Sequence, residues 1–110
     1  MLAVIGVFDS GLGGLGVVRQ IRDLLPDHDI LYVADRARAP YGRRPLEEVR
    51  RFSEEITAHL IAEGAELVVV ACNSASAVAL GHLRRLHPHI PFVGMEPALK
   101  PAVAVTRRSP

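Results

Sequence analysis

The sequence predicts an α/β fold: a parallel sheet of about four strands with helices on both faces. Three observations carry this expectation. Short apolar runs rich in β-branched residues recur along the chain. Between them lie longer stretches whose apolar residues repeat at helical spacing. The short runs are continuously apolar rather than alternating, which suits strands buried on both faces.

Each element has its own signal. "LAVIGVF" (2–8) reads as the first strand. In "GLGGLGVVRQIRDLLP" (11–26), Leu15, Val18, Ile21, Leu24 and Leu25 mark a helix face, and Pro26 marks its stop. "ILYVA" (30–34) is the second strand, and "DRARAPYGRRP" (35–45) is a turn-rich loop. The next helix opens after Pro45, with Leu46, Val49, Phe52, Ile56 and Leu60 on its apolar face, and Gly64 ends it. "ELVVVA" (66–71) is the third strand. "NSASAVALGHLRRLH" (73–87) is a helix with Asn73 and Ser74 as cap candidates. "PFVGM" (91–95) is the fourth strand, and "EPALKPAVAVTRR" (96–108) reads as a weak helix or linker interrupted by Pro101.

The 110 residues fit one α/β domain spanning 1–110. Hydrophobic residues make up 49% of the chain, and the mean hydropathy is +0.21. That is rich for a small protein and suggests apolar surface facing a partner or a second half. Thirteen Lys and Arg against twelve Asp and Glu leave a net charge of +1, so no global field draws the chain to nucleic acid or a membrane surface. The single cysteine excludes an intrachain disulfide and fits a reducing, cytoplasmic setting. "MLAVIGVFDS" lacks a basic leader region and reads as a strand rather than a signal peptide. No apolar run approaches the roughly 20 residues of a spanning helix.

In open parallel sheets, ligands bind outside the carboxyl ends of the strands. Here those positions hold Asp9 and Ser10, Asp35, Cys72 and Asn73, and Met95 and Glu96. Cys72 therefore stands at the rim, before a helix whose N-terminus favours an anion or a thiolate. "GLGGLG" (11–16) followed by Asp35 also fits a dinucleotide fingerprint. Against that, Asp9 stands where a pyrophosphate would approach, and like charges repel. The glycines can equally serve a tight turn and close helix packing.

Four blocks, "GVFDSGLGGL", "ADRARAPYG", "VVVACNSASAVAL" and "VGMEPALKPA", closely resemble successive blocks of the glutamate racemase family, within the aspartate/glutamate racemase superfamily. The resemblance implies one half of a two-domain architecture and a racemase needing no cofactor or metal. Such an enzyme interconverts L- and D-glutamate and supplies D-glutamate for peptidoglycan. It implies that Cys72 is a catalytic thiol, and that Asp9 and Ser10 contact substrate and help set the protonation of that thiol. Tyr41 and Gly42 match substrate-binding positions, as do Asn73 and Ser74; Ser74 keeps the hydroxyl of the threonine usual there. It further implies a second cysteine and a Thr-His pair in a second half. With one cysteine, this chain holds one of the two bases, to be completed by that half or by a second copy in a homodimer.

Racemisation needs a base on one face of Cα and an acid on the other. A thiolate beside a carboxylate can perform one half-step. Donors from Asn73, Ser74, Ser10 and the Tyr41–Gly42 backbone can hold the α-carboxylate as charge grows. Each residue also has a plainer reading. A lone cysteine is more often an inert buried thiol, Asp9 and Asp35 can be strand-end caps, Asn73 and Ser74 a helix cap, and Tyr41 a loop aromatic. Arg36, Arg38, Arg43 and Arg44 read as a solvated loop face rather than a phosphate site, and the histidines of "HPHIP" lack metal-ligand spacing. The rival functions are a non-catalytic ligand-binding domain of the same fold and a dinucleotide-binding module.

Overall fold

The computed structural model describes residues 3–11 and 13–95. It contains β1 (Val4–Asp9), α1 (Gly14–Leu24), β2 (Asp29–Ala34), two 3-10 turns (Arg36–Arg38 and Tyr41–Arg43), α2 (Leu46–Ala62), β3 (Leu67–Val70), α3 (Asn73–Leu86) and β4 (Phe92–Gly94). The expected segment 96–108, Glu96 included, lies outside the described residues. All strand pairs are parallel, in the order β2-β1-β3-β4.

Strand parity divides the core. Phe8, Val68, Val70 and Phe92 pack with Val49, Phe52, Ile56 and Leu60 of α2 and Ala75, Ala79 and Leu83 of α3. Ile5, Val7 and Val69 face the other way, against Val17, Val18 and Ile21 of α1. Both faces are thus covered, as the uninterrupted apolar runs predicted. The buried face of α1 is shorter than its leucines suggested. Leu15 and Leu24, in the first and last turns of α1, and Leu25, just past its end, are exposed, whereas Val17, Val18 and Ile21 in its middle pack inward. Leu46 is likewise exposed, at the very start of α2. Val93 remains 47% exposed on the β4 face opposite Phe92.

Gly64 ends α2 as expected. Its φ of 107° is a left-handed conformation that side chains resist. The Gly64 N–H donates to the Ile61 carbonyl and Ala65 N–H to the Leu60 carbonyl, pairing two carbonyls of the last turn. The buried hydroxyl of Thr57 in the same helix has no hydrogen-bond partner among the described residues. Thr57→Val keeps the shape and removes the unpaired oxygen, so it will raise unfolding stability by about 1 kcal/mol. A denaturant titration checks this, and a lowered midpoint would mean that the hydroxyl is satisfied.

Candidate active site

The sheet order reverses direction at β1: β2 lies on one side, β3 on the other. A crevice opens at such a switch point, past the carboxyl ends of the strands. The two chain segments leaving β1 and β3 there are Asp9–Ser10 and Ala71–Cys72. They stay in register because Ala71 N–H donates to the Phe8 carbonyl, 2.8 Å away. Asp35 leaves β2 alongside, its N–H donating to the Asp9 carbonyl at 2.8 Å.

Asp9 is buried, and both its oxygens accept backbone N–H groups. Oδ1 takes Ser10 N–H at 2.7 Å, and Oδ2 takes Gly14 N–H, the first residue of α1, at 2.6 Å. The carboxylate therefore holds the glycine turn and the start of α1, where the macrodipole favours negative charge. Gly14 permits this approach: a Cβ there would lie 2.9 Å from the Tyr32 ring and 3.0 Å from Asp9 Cβ. Burial, followed by the charge of Asp9, raises the Tyr32 phenol above its ordinary value.

Cys72 is the N-cap of α3, ahead of both expected candidates, Asn73 and Ser74. It has the extended backbone a cap requires, and its sulfur accepts Ala75 N–H at 3.5 Å. Ser10 Oγ lies 3.4 Å from the same sulfur, across the crevice. Cys72 is only 6% exposed. The sulfur is thus held by a helix N–H on one side and a hydroxyl on the other, both able to donate to negative charge as it develops.

The segment between β2 and α2 supplies the third wall. Tyr41 is buried, with its ring 5.7 Å from that of Phe52, so it is a core residue rather than a loop aromatic. Its hydroxyl donates to Asp35 Oδ2. Burial, then the hydrogen bond and charge of Asp35, push the phenol far above its ordinary value, with a smaller upward push from Cys72. The phenol remains a proton donor to Asp35. Gly42 follows it to the crevice, where a Cβ would stand 3.4 Å from Ser74 Oγ. Asn73 is exposed and Ser74 half-buried at the first turn of α3. The fold therefore brings Asp9, Ser10, Tyr41, Gly42, Cys72, Asn73 and Ser74 to the edge of the sheet where its strands end.

Two participants escaped the sequence reading. Ser76 Oγ donates to the Val70 carbonyl at 3.0 Å and accepts Met95 N–H at 2.9 Å. It ties the first turn of α3 to the ends of both β3 and β4. Arg38 was expected on a solvated loop face, but it pairs with Asp35 and Glu55 and lies over the Phe52 ring. Only the position of Ser76 four residues after the strand-end cysteine could have hinted at the first; nothing local announced the second.

The dinucleotide reading fits this geometry poorly. Asp9 already occupies the α1 N-terminus, and Asp35 is engaged by Tyr41 and Arg38. Among the described residues, no group of three or more His, Cys, Asp or Glu could hold a metal ion, and no helix is long and apolar enough to cross a membrane.

The Asp/Glu/Hydantoin racemase family model matches residues 15–108. A glutamate racemase of Ectopseudomonas mendocina is 54% identical over 105 residues, which cover 96% of this chain and 40% of the relative. The crystal structure of Escherichia coli glutamate racemase with L-glutamate and the activator UDP-MurNAc-ala aligns at 40% identity and a TM-score of 0.82, over 96% of this chain and 40% of that one. The Francisella tularensis enzyme, in complex with D-glutamate, aligns at 36% identity and 0.78, over 84% and 35%. The chain thus spans about 40% of the length of the curated relative it matches.

Proposed function

The chain belongs to the Asp/Glu/hydantoin racemase family, and we propose that it forms one half of a cofactor-independent glutamate racemase site. Its Cys72 moves the proton on one face of Cα. The observation that carries this reading is the sulfur of Cys72, held at the switch-point crevice between Ala75 N–H and the Ser10 hydroxyl. Relatives bound to L-glutamate and to D-glutamate support the choice of substrate.

The half-reaction follows from these positions. The Cys72 thiolate takes the Cα proton, and the C–H electron pair stays on the substrate, delocalised into its carboxylate. Ser10, Ser74, Asn73 and the Tyr41–Gly42 backbone donate to that growing charge. Asp9 fixes the turn that presents Ser10 beside the Cys72 sulfur. Inversion needs an acid on the opposite face, and the remainder of a full-length racemase, or a second copy, supplies it. In that setting the product is D-glutamate for peptidoglycan, made in the cytoplasm.

Iodoacetamide tests the site directly. It will modify Cys72 in the folded chain, and glutamate will slow the modification while acetate at equal ionic strength will not. Resistance of Cys72 until denaturation would sink the reading in favour of an inert buried thiol.

A further inference from the structure

We propose that Arg38 is a positioning residue for the substrate-facing turn at Tyr41–Gly42, acting through Asp35 and Tyr41. The inference rests on the glutamate-site reading above and adds to it a device that fixes one wall of the site.

Residues 35–45 form the connection between β2 and α2, and connections of this kind are mobile unless tied down. Three ties converge on Arg38. Its Nε donates to Asp35 Oδ2 at 2.7 Å, and its Nη1 donates to Glu55 Oε2 of α2 at 2.8 Å. Its guanidinium lies 3.9 Å from the centroid of the Phe52 ring. Arg44 Nε donates to the Arg38 carbonyl at 3.0 Å, closing the turn on itself.

The oxygen of Asp35 that receives Arg38 also receives the Tyr41 hydroxyl. Asp35 thus joins the guanidinium to the phenol. The Tyr41 ring packs on the same Phe52 that Arg38 covers, and Gly42, the next residue, faces Ser74. A continuous set of contacts runs from Glu55 on α2 through Arg38, Asp35 and Tyr41 to the first turn of α3. No hydrogen bond joins Arg38 to Cys72, Ser10 or Ser74, so its influence on the site passes through the turn. The Arg38–Glu55 pair, 29% and 54% exposed, adds little to global stability, and Asp35, 11% exposed, keeps the Tyr41 hydroxyl as a donor when the guanidinium is removed. A local effect on the turn is therefore separable from unfolding. Lysine cannot replace the guanidinium here, because a single ammonium cannot engage both acids while also covering the Phe52 ring.

The test uses the 110-residue chain with Arg38→Met and Arg38→Lys, measuring hydrogen exchange by segment and iodoacetamide modification of Cys72 against pH and glutamate concentration. In Arg38→Met, exchange across residues 39–44 will rise about tenfold while β1 and β3 stay protected. The glutamate concentration for half-protection will rise about tenfold, with the pH midpoint of the unprotected reaction unchanged. Arg38→Lys will recover only part of either effect. Unchanged exchange at 39–44 overturns the proposal, as does a loss of protection spread evenly over the sheet. If glutamate fails to protect the unsubstituted chain, the glutamate reading falls, and the exchange comparison still decides the role of Arg38.

Discussion

The purified 110-residue chain will exchange the Cα hydrogen of one glutamate enantiomer with deuterated solvent without interconverting the two. Cys72 is the only thiol in the sequence. A single carrier can take a proton from one face, exchange it with solvent, and return a deuteron to the same face. Inversion needs delivery to the opposite face, and each general acid or base contributes about 10²–10⁴-fold. Racemisation will therefore fall short of a two-carrier enzyme by a factor of that order, while deuterium enters one enantiomer with retention. Cys72→Ser will abolish the exchange, since a hydroxyl of much higher pKa cannot act as the base. Mass spectrometry after chiral chromatography reads both outcomes. Fast racemisation by a proven monomer would show that one thiol suffices. Protection of Cys72 by glutamate with no exchange would instead favour a binding domain that keeps the fold and lacks the chemistry. Racemisation growing with the square of protein concentration would point to two copies of Cys72 across one cavity.

The elements were legible in the sequence because burial writes itself into local pattern. β1 and β3 are buried on both faces, and their uninterrupted apolar runs said so. The strand ends were legible as well, and with them Asp9, Ser10 and Cys72, because a parallel sheet places its strand-to-helix turns at one edge. What could not be read were pairings between side chains distant in sequence. Arg38 and Glu55 lie seventeen residues apart, and they meet only because α2 runs back beneath the loop. The cap of α3 was misplaced, since cysteine is not a usual cap type and its sulfur is a weak acceptor. The buried length of α1 was misjudged for a different reason. Leu15, Leu24 and Leu25 lie at or past its ends, and only packing decides how far along the helix the sheet covers it.

Asp9→Ala will cost about 3–6 kcal/mol of unfolding stability. Both carboxylate oxygens accept short backbone N–H bonds, one from Ser10 and one from Gly14. Hydrogen bonds to a charged acceptor contribute about 1.5–3 kcal/mol each, and truncation leaves the buried Gly14 N–H unpaired. Gly13, the formal N-cap of α1, has no side chain to replace the lost acceptor. Asp9→Asn will cost less, about 1–2 kcal/mol, because its one oxygen can satisfy one N–H while its amide opposes the other. Denaturant midpoints at constant m-value measure both. The thiol reports a second consequence. Ser10 is held beside Cys72 by the turn that Asp9 fixes, so both variants will also lose glutamate protection of Cys72. An Asp9→Ala chain within about 0.5 kcal/mol of the unsubstituted protein would end the capping account. An Asp9→Asn chain of full stability with an unprotected thiol would then assign Asp9 a direct part in binding, rather than one exerted through the turn.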